Sequence, residues 1–347
     1  MKRYGNLYPY IADPDNIRRA HENAQKGKRH YTEVRRVNRH QKTYLEHLRR
    51  MLAERRYRTS EYKVKRRNDT GKERIIHVLP YYPDRIVHHA IMQILEPIWE
   101  RTLIRDTYSA IKGRGIHDGV RRVKRMLRDE PGTRYCLKMD VKQFYPSIDN
   151  EILKQILRQK IKCRATLELL DEIVDSAPGV PIGNYLSQYF GNLYLSPFDH
   201  WVKEVLGGRY YARYCDDLVL FGASKVWLHQ ARKRIRDCLW QRLVLELKPN
   251  WQVFPTAVRG VDFLGYRFFG YKTKIRKSIA KRYKRRMRRV ARESWPSCPS
   301  VVMSYSGWLA YADSKGLWQQ HITPDVINNV SLACRAQGQT NPLEGKT

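Results

Sequence analysis

Apolar positions along the chain alternate between helical and extended spacing, and this alternation divides the chain before any chemistry is considered. Residues 14–56 carry Arg, Lys, His and Glu among apolar residues at helical spacing, with Leu45, Leu48 and Leu52 as a stripe, which predicts basic helices. From Tyr62 to Val78 the pattern shortens to extended segments around Asn68-Asp69-Thr70-Gly71, a turn signal that predicts a basic β-hairpin. Asp84 is placed to cap a helix whose apolar positions Ile86, Ala90, Ile91, Ile94, Leu95 and Ile98 follow the helical period, ending before Pro97 or crossing it. A second helix follows Gly115, with Ile116, Val120, Val123 and Leu127 on one face.

In the second half, Tyr135 to Val141 reads as a core strand ending at an acid, and a helix follows Asp149-Asn150. A Gly/Pro-rich stretch over 176–191, SAPGVPIGNYLSQYFG, leads into an apolar helix through Leu193 and Leu195. The run YYARY, the dipeptide Cys215-Asp216 and the run DLVLF predict a hairpin. A charged helix over 225–243 is followed by a short strand pair, Val253–Phe254 and Phe263–Phe268. The last 55 residues, with Trp295, Trp308 and Trp318, read as a small helical unit that frays after about Arg335.

Charge changes the picture. The 347 residues hold 67 Lys+Arg against 34 Asp+Glu, a formal net charge of +33, and between Tyr271 and Arg292 stand twelve Lys/Arg and no acid. With 42% hydrophobic and 11% aromatic residues the chain is no disordered basic tail. A surplus this large repels itself unless an anionic partner neutralises it, and the usual partners are nucleic acid or an anionic membrane. No apolar run approaches the ~18–20 residues that span a bilayer, so no membrane partner is expected, and MKRYGNLYPY lacks an apolar signal core. Six scattered cysteines without a Cys-x-x-Cys read as plain buried thiols in a reducing, cytoplasmic setting.

Among so many cations, acids on apolar strand ends stand out: Asp140, and Asp216-Asp217, the one Asp-Asp pair in the chain. Phosphoryl transfer to nucleic acid uses two divalent metals roughly 3.5–4 Å apart, and Mg²⁺ needs only a few carboxylate oxygens beside waters and substrate phosphates. An acid at the end of one strand and another at a hairpin tip can meet on neighbouring strands of one sheet.

These residues carry a resemblance. Tyr214-Cys215-Asp216-Asp217 within YARYCDDLVLFG resembles the Tyr-x-Asp-Asp signature of reverse transcriptases, and LKMDVKQFYPSID (137–149) resembles their first palm motif. In the same order, KERIIHVLPYYPDRIVHHAIMQILEPIWE (72–100) resembles the fingers segment of the bacterial and group II intron branch, and GRGIHDGVRRV (113–123) the segment after it. PIGNYLSQ (181–188) resembles the motif closing the nucleotide pocket and VDFLGYRF (261–268) the primer-grip turn. The resemblance implies an α+β right-hand polymerase: fingers over 1–134 with N-terminal basic helices, an antiparallel palm over 135–270 with finger returns near 155–180, a helical thumb over 271–335 and a flexible tail over 336–347. It implies RNA-templated addition of deoxynucleotides with two Mg²⁺, or Mn²⁺ as a substitute. Asp140, Asp216, Asp217 and the Val141 carbonyl are the implied metal ligands. Tyr145 is the implied gate against a ribose 2′-hydroxyl, Arg74 and Lys65 (or Lys63) the implied contacts to the nucleotide and its phosphates, and Ile182, Gly183 and Gln188 part of its pocket. Lys277, Lys281, Arg282, Lys284, Arg285 and Arg288 are the implied track for a template–primer duplex.

Most reverse transcriptases open the pocket motif with Gln-Gly and close it with Ser-Pro; this chain has Ile182-Gly183 and Ser187-Gln188. These departures resemble the enzymes of diversity-generating retroelements, which copy a template-repeat RNA with misincorporation opposite adenine. Their partners would be that structured RNA, the RNA–cDNA duplex, deoxynucleoside triphosphates and a small basic accessory variability protein that forms a pentamer. Two alternatives stand beside this reading: an antiphage-defence or retron-type enzyme using a dedicated non-coding RNA, and a non-catalytic RNA-binding maturase-type protein. The family's lysine proposed as proton donor to pyrophosphate aligns with Trp251, and Lys248 is close but out of register. Within these 347 residues the motifs predict a polymerase alone, without a ribonuclease H domain, a protease or an HNH endonuclease.

Overall fold

The computed structural model describes residues 2–69 and 72–343, apart from the side chains of Asp69, Lys72 and Arg74. The first elements are helices, α1 (Tyr8–Ile11), α2 (Pro14–Ala24), α3 (Thr32–Arg39) and α4 (Gln41–Ala53). The Asp13 carboxylate accepts from the Asn16 N–H at 3.0 Å to start α2, and Pro14 takes the first helical position, where a missing N–H costs nothing. The expected hairpin follows: β1 (Lys63–Asp69) pairs antiparallel with β2 (Lys72–Val78), from Lys63 opposite Val78 to Asp69 opposite Lys72. Its turn residues Thr70 and Gly71 lie outside the described residues. Helix α5 (Ile86–Glu100) runs through Pro97.

Asp84 does not cap α5. It is buried in a π-helical segment, Tyr81–Arg85, and its carboxylate accepts from the Tyr57 hydroxyl at 2.8 Å and the Ser60 N–H at 3.0 Å. Partners from the segment leading into β1 take the acid that local spacing assigned to the helix end.

Next come β3 (Thr107–Tyr108), α6 (Ile116–Met126) directly after Gly115, and β4 (Tyr135–Asp140). Asp149 caps α7 (Asn150–Arg158) by accepting from the Ile152 N–H at 2.9 Å, and α8 (Arg164–Val174) and α9 (Ser187–Glu204) follow. Beyond them lie β5 (Tyr210–Tyr214), β6 (Asp217–Gly222), α10 (Lys225–Leu243), β7 (Gln252–Pro255), α11 (Thr256–Arg259), β8 (Val261–Phe263), β9 (Tyr266–Phe268) and β10 (Thr273–Ile275). Four helices close the chain: α12 (Lys277–Arg292), α13 (Cys298–Leu309), α14 (Lys315–His321) and α15 (Pro324–Arg335).

The chain divides into two compact units, one of Met1–Ile111, Asp140–Gly208 and Ala231–Asn250, the other of Lys112–Met139, Arg209–Gln230 and Trp251–Thr347. In the first, α2 lies on α5, with Ile17, Ala20, Ala90 and Ile91 buried. The buried Asn16 side chain donates to the Ile11 and Ala90 carbonyls, at 3.1 Å each, so its polar atoms enter the core already satisfied. In the second, β5, β6, β4 and β7 are consecutive in one sheet. The expected strand pair is therefore not a pair. β7 joins β4, Leu137 opposite Val253, whereas the run from Phe263 folds on itself as the β8–β9 hairpin in a separate three-stranded sheet with β10. Leu264 and Gly265 form that hairpin's turn, both with positive φ, a local signal that outweighs the uniform apolar run. Of the six cysteines, none is paired; four are buried as expected, but Cys163 and Cys215 are half-exposed.

Helix α12 buries Ile279, Tyr283, Met287 and Val290, spaced one turn apart, in a core shared with α13 and α15. The Tyr283 hydroxyl is buried there with no hydrogen-bond partner. Tyr283→Phe removes a desolvated polar atom and is expected to leave the melting temperature unchanged or raise it. Met287→Ala opens a void in the same core and is expected to destabilise by about 2–5 kcal/mol. Thermal unfolding of the two variants checks both.

Candidate active site and nucleic-acid interface

The β5–β6 ladder runs from Tyr210 opposite Phe221 to Tyr214 opposite Asp217, which leaves Cys215 and Asp216 as a two-residue turn. Cys215 sits at φ 52°, a left-handed conformation uncommon outside glycine, and the fully buried Arg213 donates from Nη1 to its carbonyl at 3.0 Å. A buried guanidinium thus clamps the turn that carries Asp216. β6, which begins at Asp217, lies beside β4 in the same sheet.

Lys138 on β4 links this hairpin to the rest of its unit. Its Nζ lies 3.4 Å from the Asp217 carboxylate and also donates to the Asp262 carbonyl on β8. The Asp262 carboxylate in turn accepts from Arg276 Nε at 2.7 Å, and Arg276 is the residue that starts α12. One polar chain therefore runs from an acid of the Asp-Asp pair to the root of the basic helix.

In the other unit, the strand path continues past Asp140 against residues 246–248. The Lys142 N–H donates to the Glu246 carbonyl and the Lys248 N–H to the Asp140 carbonyl, both at 2.8 Å, with Val141 opposite Leu247 between them. In that arrangement Val141's own carbonyl takes no part in the bridge. The Lys248 ammonium rests directly on the Asp140 carboxylate. Trp251, with which the family's lysine aligns, packs edge-on against His229 with ring centroids 5.8 Å apart. The missed signal is the alternation in Leu245-Glu246-Leu247-Lys248: Leu245 is buried, so a strand here sends Glu246 and Lys248 the other way.

The donors expected to hold metal are hard oxygens, three carboxylates and a carbonyl, the set that suits Mg²⁺. Two of those carboxylates, Asp140 and Asp217, already have a lysine ammonium beside them, so the positions fit a cation. Among the described residues no three His, Cys, Asp or Glu side chains are grouped closely enough to hold a metal by themselves.

Residues expected around the nucleotide fall in the first unit. Tyr145 begins a short 3-10 turn, its carbonyl accepting from the Val180 N–H at 2.9 Å, and its ring lies 5.1 Å from that of Phe144. Gly191 on α9 makes room for both rings, because a Cβ there would stand 3.0 Å from each. The Ile182 carbonyl accepts from the His77 N–H on β2 at 2.8 Å, so the pocket motif is fastened to the hairpin. Gly183 takes φ 116°, and a Cβ on it would come within 2.6 Å of the His77 carbonyl. Tyr185, in the same motif, stacks on His89 with centroids 3.9 Å apart and lies under the Arg85 guanidinium. Burial, with Arg85 nearby, pushes the His89 imidazole down to about 3, so this stack is neutral at its centre. Gln188 is exposed at the start of α9, Lys65 is exposed on β1, and Arg74 lies in β2 with its side chain outside the described residues.

Residues 40–268 match the family model described as reverse transcriptase (RNA-dependent DNA polymerase). The chain belongs to the reverse transcriptase family. Protein YkfC of Escherichia coli K12 is 25% identical over 234 residues, covering 54% of this chain and 61% of that protein. The group II intron-encoded protein LtrA of Lactococcus lactis subsp. cremoris is 24% identical over 138 residues, 37% of this chain and 22% of LtrA. The chain thus spans less than two thirds of the length of these relatives. Among solved structures, telomerase from Candida tropicalis in complex with the TWJ fragment of telomeric RNA superposes with a TM-score of 0.52 at 12% identity, over 84% of this chain and 55% of that one. Apo telomerase from the same yeast gives 0.50 at 13% identity, over 65% and 49%. This reverse transcriptase family member therefore has the expected α+β right-hand polymerase fold.

Its helix α12 keeps Lys277, Lys281, Arg282, Arg285 and Arg288 exposed and Lys284 half-buried. Arg282, with Arg286 one turn later, faces Ser300, Ser304 and Tyr305 of α13 across a cavity of about 450 Å³. No described helix is long and apolar enough to cross a membrane.

Gly183→Ala in this family member combines an unfavourable φ with a backbone clash and is expected to destabilise by about 1–3 kcal/mol. Gly113 has a positive φ nearer the left-handed region, 76°, and open space around it, so Gly113→Ala is expected to cost less. Chemical denaturation of both variants checks that order.

Proposed function

We propose that the chain is an RNA-directed DNA polymerase that copies a template-repeat RNA for a diversity-generating retroelement. It would extend a primer 3′-hydroxyl with deoxynucleotides and release pyrophosphate. The polymerase reading is carried by the clamped turn between β5 and β6, which sets the Asp216-Asp217 pair at the head of a buried strand. Asp140, Asp216, Asp217 and the Val141 carbonyl would hold two Mg²⁺ ions, or Mn²⁺ as a substitute. When bound, these ions lower the pKa of the attacking hydroxyl and neutralise the triphosphate.

The chain's own groups do the rest. Lys138 and Lys248 compensate the acids in the free protein, and Lys248, not Trp251, is the candidate to hand a proton to pyrophosphate. Tyr145, braced by Phe144, is the gate against a 2′-hydroxyl, with Arg74, Lys65 and Gln188 on the nucleotide. Fingers, palm and thumb would span 1–134, 135–270 and 271–335, and the α12 cations would follow the RNA–cDNA duplex by its phosphates. A small basic pentameric accessory protein and a cytoplasmic setting complete the reading.

The retroelement assignment is supported by Ile182. Its carbonyl is engaged by His77 and its side chain is apolar, so it lacks the side-chain amide that Gln would offer a nucleotide. A pocket with fewer polar contacts leaves fewer groups unsatisfied by a mispair and discriminates less.

Primer extension by the purified chain on poly(rA)–oligo(dT) with Mg²⁺ tests the enzyme. Asp216→Asn is expected to lower the rate about a hundredfold or more; equal rates would sink the polymerase reading. Sequencing cDNA made on a heteropolymeric RNA tests the assignment. Errors should cluster opposite adenine, and Ile182→Gln should reduce them roughly two- to tenfold, the worth of one recovered hydrogen bond. An error spectrum without adenine preference would favour the defence or retron-type alternative.

A further inference from the structure

Within the first unit, a second cavity, of about 300 Å³, opens between the end of α5, the end of α7 and the middle of α9. It is at the small end of the range for ligand sites (~300–1,000 Å³). None of its residues belongs to the carboxylate or pocket motifs described above. Its apolar wall is Trp99, Ile156, Leu157, Leu193 and Pro197. Trp99 is buried, and its indole N–H is without a hydrogen-bond partner. Thr102, Gln159 and Ser196 supply further polar atoms.

The rim is cationic. Arg101 and Lys160 line the cavity. The N-terminal segment is stitched alongside, since the Tyr4 N–H donates to the Lys160 carbonyl at 2.7 Å and the Lys162 N–H to the Tyr4 carbonyl at 2.8 Å. That pairing brings Lys2, Arg3 and Lys162 to the same corner. The described contacts of these cations are not with carboxylates: Arg3 donates to the Ile161 carbonyl, Arg101 meets the Tyr4 hydroxyl at 3.5 Å, and Lys2 lies over the Tyr4 ring. Glu204 is close by but is engaged with His200, which also lines the cavity.

An apolar slot with hydroxyl and amide groups on its wall and Arg101 and Lys160 at its rim matches an unstacked nucleotide: the base enters the slot and the flanking phosphates meet the rim. We propose that this cavity is a second RNA site, which holds one unpaired nucleotide of a structured RNA apart from the template strand being copied. The inference rests on the reading of the chain as an RNA-templated polymerase.

The test compares the full-length protein with the double variant Arg101→Glu/Lys160→Glu. The control is Arg35→Glu/Arg36→Glu, which makes the same charge change at exposed positions of α3. The probe is a fluorescein-labelled RNA hairpin with an unpaired uridine loop. The site variant is expected to bind at least about tenfold more weakly, with a salt dependence shallower by roughly one to two units in slope. It should keep the wild-type extension rate on poly(rA)–oligo(dT), and the control should bind as wild type. A photoreactive thiouridine in the loop should crosslink to the segments 156–162 or 193–200. Equal losses in both variants, unchanged binding in the site variant, or crosslinks confined to other segments would overturn the proposal. A wild-type protein that extends no primer would instead overturn the polymerase reading.

Discussion

A carboxylate on the end of a buried strand needs a cation, and the chain supplies one from its own backbone neighbourhood in each case. Lys248 reaches Asp140 from the strand path hydrogen-bonded to that same residue, and Lys138 reaches Asp217 from the adjacent strand. Each ammonium offsets the charge of the carboxylate beside it. It does so on a flexible stem, which adds little bulk and can swing aside.

The same lysine that compensates Asp217 is a structural joint. By meeting the Asp262 carbonyl it ties β4 to the β8–β9 hairpin, and Asp262 passes the connection to Arg276 and the start of α12. The helix with the densest positive charge is thus rooted, through side chains, in the sheet that carries Asp217. Exposed ion pairs contribute little to stability on their own; what this series contributes is a defined origin for α12 relative to its own unit.

Much of the fold was legible because period and turn chemistry agree in this chain. The helix after Asp149-Asn150, the helix after Gly115 and the β5–β6 hairpin all follow from local pattern. The misreadings arose where distant partners decided. Asp84 has the spacing of a cap but is bound by Tyr57 and Ser60, and β7 looks like a partner for Phe263–Phe268 but joins β4, more than a hundred residues earlier in the chain. The candidate acids were readable from an Asp-Asp pair in an apolar hairpin. Their lysines were not, because neither the two-residue offset of Lys138 nor the register of Lys248 reports on contacts across strands.

The hydrogen bond from the His77 N–H to the Ile182 carbonyl, with Gly183 against the next peptide, makes the pocket motif behave as a short extra rung of the hairpin. A rung cannot shift alone. Any bending of β2 carries Ile182 with it, and any side chain that pushes on Ile182 pushes the hairpin back. Under the proposed assignment of Ile182 to the nucleotide pocket, substrate choice and hairpin position become two readings of one mechanical coordinate, and a substitution on the exposed face of β2 acts on base choice without touching a nucleotide.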